Sequence, residues 1–105
     1  MELTKQKCKP CEAGVPPMDQ KEIKENLRKV KGWKVINNKL IVKEYKFKDF
    51  KTALYFVNKV GKIAESEGHH PDVFLSYGRV EIKLWTHAIN GLSINDFILA
   101  AKIDK

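Results

Sequence analysis

Ile23, Leu27 and Val30 recur at spacings of four and three, one apolar stripe of a short amphipathic helix. Asp19, with Glu22 three residues on, makes a capping box at its start, and Gly32 stands where a left-handed C-terminal cap is expected. Trp33–Ile36 and Lys39–Phe47 flank Asn37-Asn38, a pair that tolerates positive φ, so a β-hairpin is predicted. Asp49 can cap a second helix running to about Glu67, where Gly68 ends it. Phe50, Ala53, Leu54, Val57, Val60 and Ala64 are its expected buried side. Pro71–Tyr77 and Val80–Thr86 are two further β-rich runs, separated by Gly78-Arg79, which suits a two-residue type II′ turn. That turn pairs Tyr77 with Val80 and, at the open end, His70 with His87. Ser93 and Asp96 form a capping box for a last helix, with Ile94, Phe97, Ile98 and Ala101 on its buried face.

Two hairpins alternating with three helices imply an α+β domain, a four-stranded antiparallel sheet with helices on one face, in the order α-β-β-α-β-β-α. The expected organisation is a tail over residues 1–18 and a single domain over 19–105. The two hairpins could be related halves of one sheet, although no internal repeat of high identity is present.

Length agrees with this: 105 residues, 43% of them hydrophobic, make one core and are expected to leave little room for a cofactor domain. No apolar run approaches the roughly 18–20 residues of a membrane span. Met1–Lys7 has mixed charge and no apolar h-region, so a cytoplasmic location is expected by default.

The net charge of +7 suggests an anionic partner, but its distribution weakens that reading. Residues 1–64 hold 16 basic and 7 acidic side chains, whereas 65–105 hold 4 and 6, with all three histidines in the second stretch. The lysines are spread singly, as on a solvated face, and no aromatic residues interleave with them on one basic face. Nucleic acid is therefore not the expected partner. Cys8 and Cys11 form a Cys-x2-Cys pair without the second pair of a structural zinc site, and it precedes Gly14, Pro16 and Pro17 rather than opening a helix. The pair is a weak signal, and no chemistry is its leading reading; a metal, an inter-subunit link or redox chemistry are the alternatives.

The predicted hairpin brings His70 opposite His87, with His69 adjacent. Directly opposed residues have Cβ atoms about 5 Å apart. A structural or surface role is one reading. A three-histidine metal site is a second, opposed by the adjacency of His69 and His70, whose side chains point to opposite faces of an extended segment. Metal-free acid–base catalysis is the third, since one imidazole can donate and another accept a proton near neutral pH. No Ser or Cys nucleophile stands in a recognisable motif.

Glu65-Ser66-Glu67-Gly68-His69-His70-Pro71, then Tyr77, Thr86-His87, Gly91-Leu92-Ser93 and Asp96, resembles the signature of the pterin-4a-carbinolamine dehydratases. Gly32-Trp33 and Phe47-Lys48-Asp49-Phe50 are similar to that family as well, so the resemblance spans Asp19 to Asp104. It implies dehydration of 4a-hydroxytetrahydropterin to the quinonoid dihydropterin, without a metal or organic cofactor. By position it implies His69 and His87 as the acid–base pair and His70 as a substrate contact. Glu65 and Asp96 match acidic residues of the signature, and Trp33 an aromatic residue near the pocket. Each has a plainer reading. Asp96 could only cap its helix, Trp33 could be core, and Pro71 fixes extended backbone. Glu65 opposes the dipole of its helix end, which hints at a further role.

Family members in animals also stabilise dimers of a transcription factor, so a non-catalytic module that stabilises oligomers of a partner is the alternative. The resemblance also implies a homodimer or homotetramer. Tyr55 and Phe56, outside the main stripe of the second helix, mark the candidate surface.

Overall fold

Side-chain caps set the starts of the three α-helices in the computed structural model, which describes residues 2–9 and 15–105. Before α1 (Gln20–Leu27), Asp19 accepts from the Glu22 amide at 2.9 Å, and Glu22 accepts from the Asp19 amide at 3.2 Å. Before α2 (Phe50–Glu67), Asp49 accepts from the Thr52 amide at 2.8 Å, a bond that holds its carboxyl below the ordinary value. Ser93 and Asp96 form the capping box of α3 (Ile94–Ile103). α1 stops at Leu27, so Gly32, although left-handed at φ 83°, lies in the following turn and does not cap the helix. Val30 is buried all the same.

Strands β1 (Lys34–Ile36), β2 (Leu40–Lys46), β3 (Asp72–Ser76) and β4 (Arg79–Leu84) form an antiparallel sheet in the order β1-β2-β4-β3. This is the α+β architecture expected. The two hairpins join through β2 and β4, from Ile41 opposite Leu84 to Lys46 opposite Arg79. Asn37 and Asn38 turn the first hairpin with φ of 53° and 54°, as the Asn-Asn pair predicts.

The second hairpin departs from its predicted register. Ser76 pairs with Arg79 and Asp72 with Lys83, so the turn is Tyr77-Gly78 and not Gly78-Arg79. The shift is by two in the pairing, which keeps every side chain on its face. Gly78 is selected by a neighbour instead of by turn type. Its carbonyl accepts from the Phe47 amide at 2.8 Å, and a Cβ there would stand 2.8 Å from the Phe47 carbonyl oxygen.

On β4, Val80, Ile82 and Leu84 are buried and alternate with the more exposed Glu81 and Lys83, the period-two pattern of a sheet covered on one face. α3 supplies the centre of the core, burying Phe97, Ile98, Leu99, Ala100 and Ile103. Just past its end, Asp104 accepts from Trp33 Nε1 at 2.8 Å, Lys43 Nζ at 3.0 Å and the Tyr45 hydroxyl at 2.6 Å, tying α3 to the sheet. Burial, and then Asp104, push the Tyr45 hydroxyl well above its usual pKa.

α2 buries Ala53, Val60 and Ala64, but Phe50 and Leu54, expected on its buried side, are exposed. Phe56, expected outside the stripe, stacks on Tyr45 and Phe47 at ring separations of 4.5 and 5.2 Å. The aromatic cluster at the end of β2 draws the contact face of the helix toward Phe56.

Residues 2–9 pack back on the domain. Leu3 is buried in the core cluster. The Cys8 amide donates to Glu67 at 2.9 Å, and Glu67 also accepts from Lys102 Nζ at 2.6 Å. Burial opposes ionisation of Glu67, yet Lys102 and the Cys8 amide hold its carboxyl below the usual value. Burial, and then the Glu67 charge, push the Cys8 thiol up to about 12, so it stays protonated and poorly nucleophilic at neutral pH. Cys11 lies outside the described residues. None of the described helices is long and apolar enough to cross a membrane.

Candidate active site

Three chain segments meet at one end of the sheet. Gly68 ends α2 in the left-handed conformation, φ 65°, and turns His69-His70-Pro71 back toward β3. Past the end of β4, Trp85, Thr86 and His87 lead into a one-turn 3-10 segment, His87–Ile89, which Asn90 closes at φ 53°. The Thr86 amide donates to the Gly91 carbonyl at 2.8 Å and closes this loop. The N-terminus of α3 supplies Asn95 and Asp96 from below.

An open cleft of about 360 Å³ lies between these segments, lined by all three histidines together with Asp72, Trp85 and Asn95 among others. That volume is at the small end of ligand sites. The convergence of the histidines is thus present, although not by the predicted pairing. The β3–β4 ladder ends at Asp72–Lys83, and the histidines approach as loop residues beyond it.

The histidines sit in different environments. His69 is largely buried, with 12% of its side chain exposed, and its Nε2 lies 2.6 Å from Asp96 Oδ1. Asp96 is fully buried, and its other oxygen accepts from Thr86 Oγ1 at 2.9 Å and the Ser93 amide at 3.0 Å. With the carboxylate held this way, His69 donates from Nε2, which leaves Nδ1 as its nitrogen for exchange of a proton. Asp96 therefore caps its helix and holds a histidine at once.

His70 pairs through Nε2 with Glu65, and both side chains are exposed. Such a surface pair contributes little to stability, about 0–1 kcal/mol. It does restrain the His70 ring at the rim. His87 is exposed, and its ring lies 3.9 Å from that of Trp85.

Trp33 is not brought to this cleft. It is buried in the core, with Nε1 on Asp104 and its ring edge-on to Tyr45 at 6.5 Å. The aromatic residue lining the cleft is Trp85, which sequence reasoning did not single out. Its signal was local: it stands two residues before His87, hence on the same face of an extended segment. Asn95 was missed as well. It is buried, its Oδ1 accepts from the Lys9 amide at 3.0 Å, and it brings the N-terminal segment to the cleft's edge. Among the described residues no three His, Cys, Asp or Glu side chains converge as a ligand set for a metal.

Comparison with known proteins bears on the family and the fold. The family model described as pterin 4 alpha carbinolamine dehydratase matches residues 16–105. A relative from Alkaliphilus metalliredigens that carries the family's name is 51% identical over 104 residues, covering 98% of this chain and 94% of its own. One from Rubrobacter xylanophilus is 42% identical, covering 99% and 97%. Among solved structures, a transcriptional coactivator/pterin dehydratase from Brucella melitensis superposes with a TM-score of 0.79 at 36% identity, over 84% of this chain and 95% of that one. A pterin dehydratase-like RuBisCO assembly factor of the α-carboxysome, 19% identical with a TM-score of 0.59 over 70% of this chain and 86% of that one, shares the fold. The chain belongs to the pterin-4-alpha-carbinolamine dehydratases, a family of hydro-lyases.

Proposed function

We propose that this protein dehydrates 4a-hydroxytetrahydropterin to the quinonoid dihydropterin and water, with His69 and His87 as the acid–base pair. The single observation that carries the reading is the pairing of a carboxylate-held His69 with an exposed His87 across one cleft. In the reaction the C4a–O bond breaks and the hydroxyl leaves with one added proton as water. A ring N–H gives up its proton, and its electron pair forms the new C=N bond. One group must therefore donate a proton and another accept one. The Asp96 carboxylate holds the His69 ring in place through Nε2, so His69 takes the ring proton as base, by the logic of a carboxylate-oriented histidine. His87, open to the cleft, delivers the proton to the leaving oxygen. His70, braced by Glu65 at the rim, contacts the polar edge of the pterin.

Purified protein should accelerate dehydration of the carbinolamine, followed by absorbance as the quinonoid product forms, with no metal added. A rate equal to the spontaneous one would sink this reading.

The same chain is proposed to assemble with further copies of itself through α2. The supporting observation is that Phe50, Leu54 and Tyr55, the last 74% exposed, leave apolar surface uncovered on that helix. Light scattering should show a homodimer or homotetramer, and Tyr55→Glu should shift it toward monomer. An unchanged mass in the variant would remove α2 from the interface.

A further inference from the structure

We infer that Trp85 is a positioning residue for His87, fixing the plane of the imidazole by ring stacking while Asp72 fixes the indole. The inference rests on the acid–base reading above and adds a residue which that reading does not use. His87 opens a one-turn 3-10 segment on the surface and makes no side-chain hydrogen bond among the described residues. An exposed imidazole so placed would exchange among rotamers, and proton transfer to one oxygen needs a single orientation. Trp85 supplies the missing restraint. The two rings lie 3.9 Å apart, inclined by 36°.

Their approach follows from the backbone. Thr86, between them, turns inward, is buried, and donates to Asp96, so its neighbours on either side share the opposite, cleft-facing side. One threonine thus links the two histidine environments: it holds the carboxylate behind His69 and directs Trp85 and His87 to the cleft.

The indole is itself anchored. Its Nε1 donates to Asp72 Oδ2 at 3.2 Å, from the first residue of β3. Lys39, beside the Asn37-Asn38 turn of the first hairpin, places Nζ 4.8 Å from the ring centre. Residues at the starts of two strands, Lys39 and Asp72, therefore converge on Trp85, and Trp85 passes that order on to the His87 ring. A residue whose sole task was to fill the core would be buried, as Trp33 is. Trp85 is half-buried in the cleft wall, with its N–H satisfied by an exposed carboxylate.

Three variants test this: Trp85→Leu removes the ring but keeps apolar volume, Trp85→Phe keeps a ring but loses the Asp72 bond, and Asp72→Ala frees the indole. Each is read by the NMR shift of the His87 ring protons and by separate kcat and KM for dehydration. Stacking places the His87 ring protons upfield in the native protein. Trp85→Leu should abolish that shift and lower kcat by about 10- to 100-fold with little change in KM. Trp85→Phe should restore most of both, and Asp72→Ala should weaken both without abolishing them. Native kcat in Trp85→Leu overturns the inference, as does a loss confined to KM, which would make Trp85 a substrate contact only. Should Trp85→Leu not fold, Asp72→Ala alone decides: unchanged ring shifts and kcat overturn it. Because the ring shifts are measured without substrate, they judge the stacking even if the protein proves to have no dehydratase activity.

Discussion

Replacing Asp96 with alanine is expected to lower stability by about 3–5 kcal/mol and to abolish measurable dehydration. The side chain is fully buried and accepts from His69 Nε2, Thr86 Oγ1 and the Ser93 amide. Alanine leaves the His69 and Ser93 donors without their acceptor, each a penalty of about 1–3 kcal/mol before relaxation, while the Thr86 hydroxyl keeps Ser93 Oγ at 2.7 Å as a partner. It also removes the capping-box side chain of α3, the helix at the centre of the core. Urea unfolding monitored by circular dichroism measures the loss, and a change below about 1 kcal/mol would contradict the role given to this carboxylate.

Asp96→Asn separates structure from chemistry. An amide keeps the shape and one acceptor oxygen, so part of the stability should return. Its NH2 group must face one of the donors that Asp96 now satisfies, and it carries no charge to balance a protonated His69. Activity is therefore expected to stay about 10²- to 10⁴-fold below native even where the variant is folded. Recovery of activity in step with stability would reduce Asp96 to a helix cap.

The histidines should divide in the opposite way. His87→Ala is expected to lower kcat by about 10²- to 10⁴-fold while changing stability by less than about 0.5 kcal/mol. His87 is exposed, and truncating it leaves no buried group unpaired among the described residues. His69→Ala should lose as much activity and also destabilise the fold, because it removes a donor from the buried Asp96. The double variant should be little worse than either single one if the two act in one proton-transfer step. Stopped-flow kinetics with parallel urea titrations provide both quantities. Full activity in His87→Ala would remove it from the mechanism and take the Trp85 argument with it.

Much of the fold was legible because its determinants are local. Asp19, Asp49 and Ser93 mark helix starts by bonds that close within three residues, and Asn37-Asn38 marks a hairpin by its own backbone preference. A two-residue error in the register of the second hairpin left its side chains on their faces, since strand periodicity is two. The histidines could be placed together because the second hairpin is short and follows directly on the end of α2.

What escaped the sequence depends on contacts between distant residues. Gly78 reads as the first position of a type II′ turn, yet its want of a side chain serves the Phe47 carbonyl some thirty residues away. Two tryptophans were available, and the local pattern says only that Trp85 shares a face with His87; Asp104, which draws Trp33 into the core, and Asp72, which holds Trp85 in the cleft, are partners from distant segments. The face of α2 was misjudged at Phe50, Leu54 and Phe56 because helical spacing defines a stripe but not which part of it the sheet covers. Elements, their order and the meeting of three histidines thus followed from the sequence alone, through interactions spanning a few residues. Tertiary structure alone decided the orientation and partner of each site residue, because hydrogen bonds and ring contacts require ångström-scale placement by segments far apart in the chain.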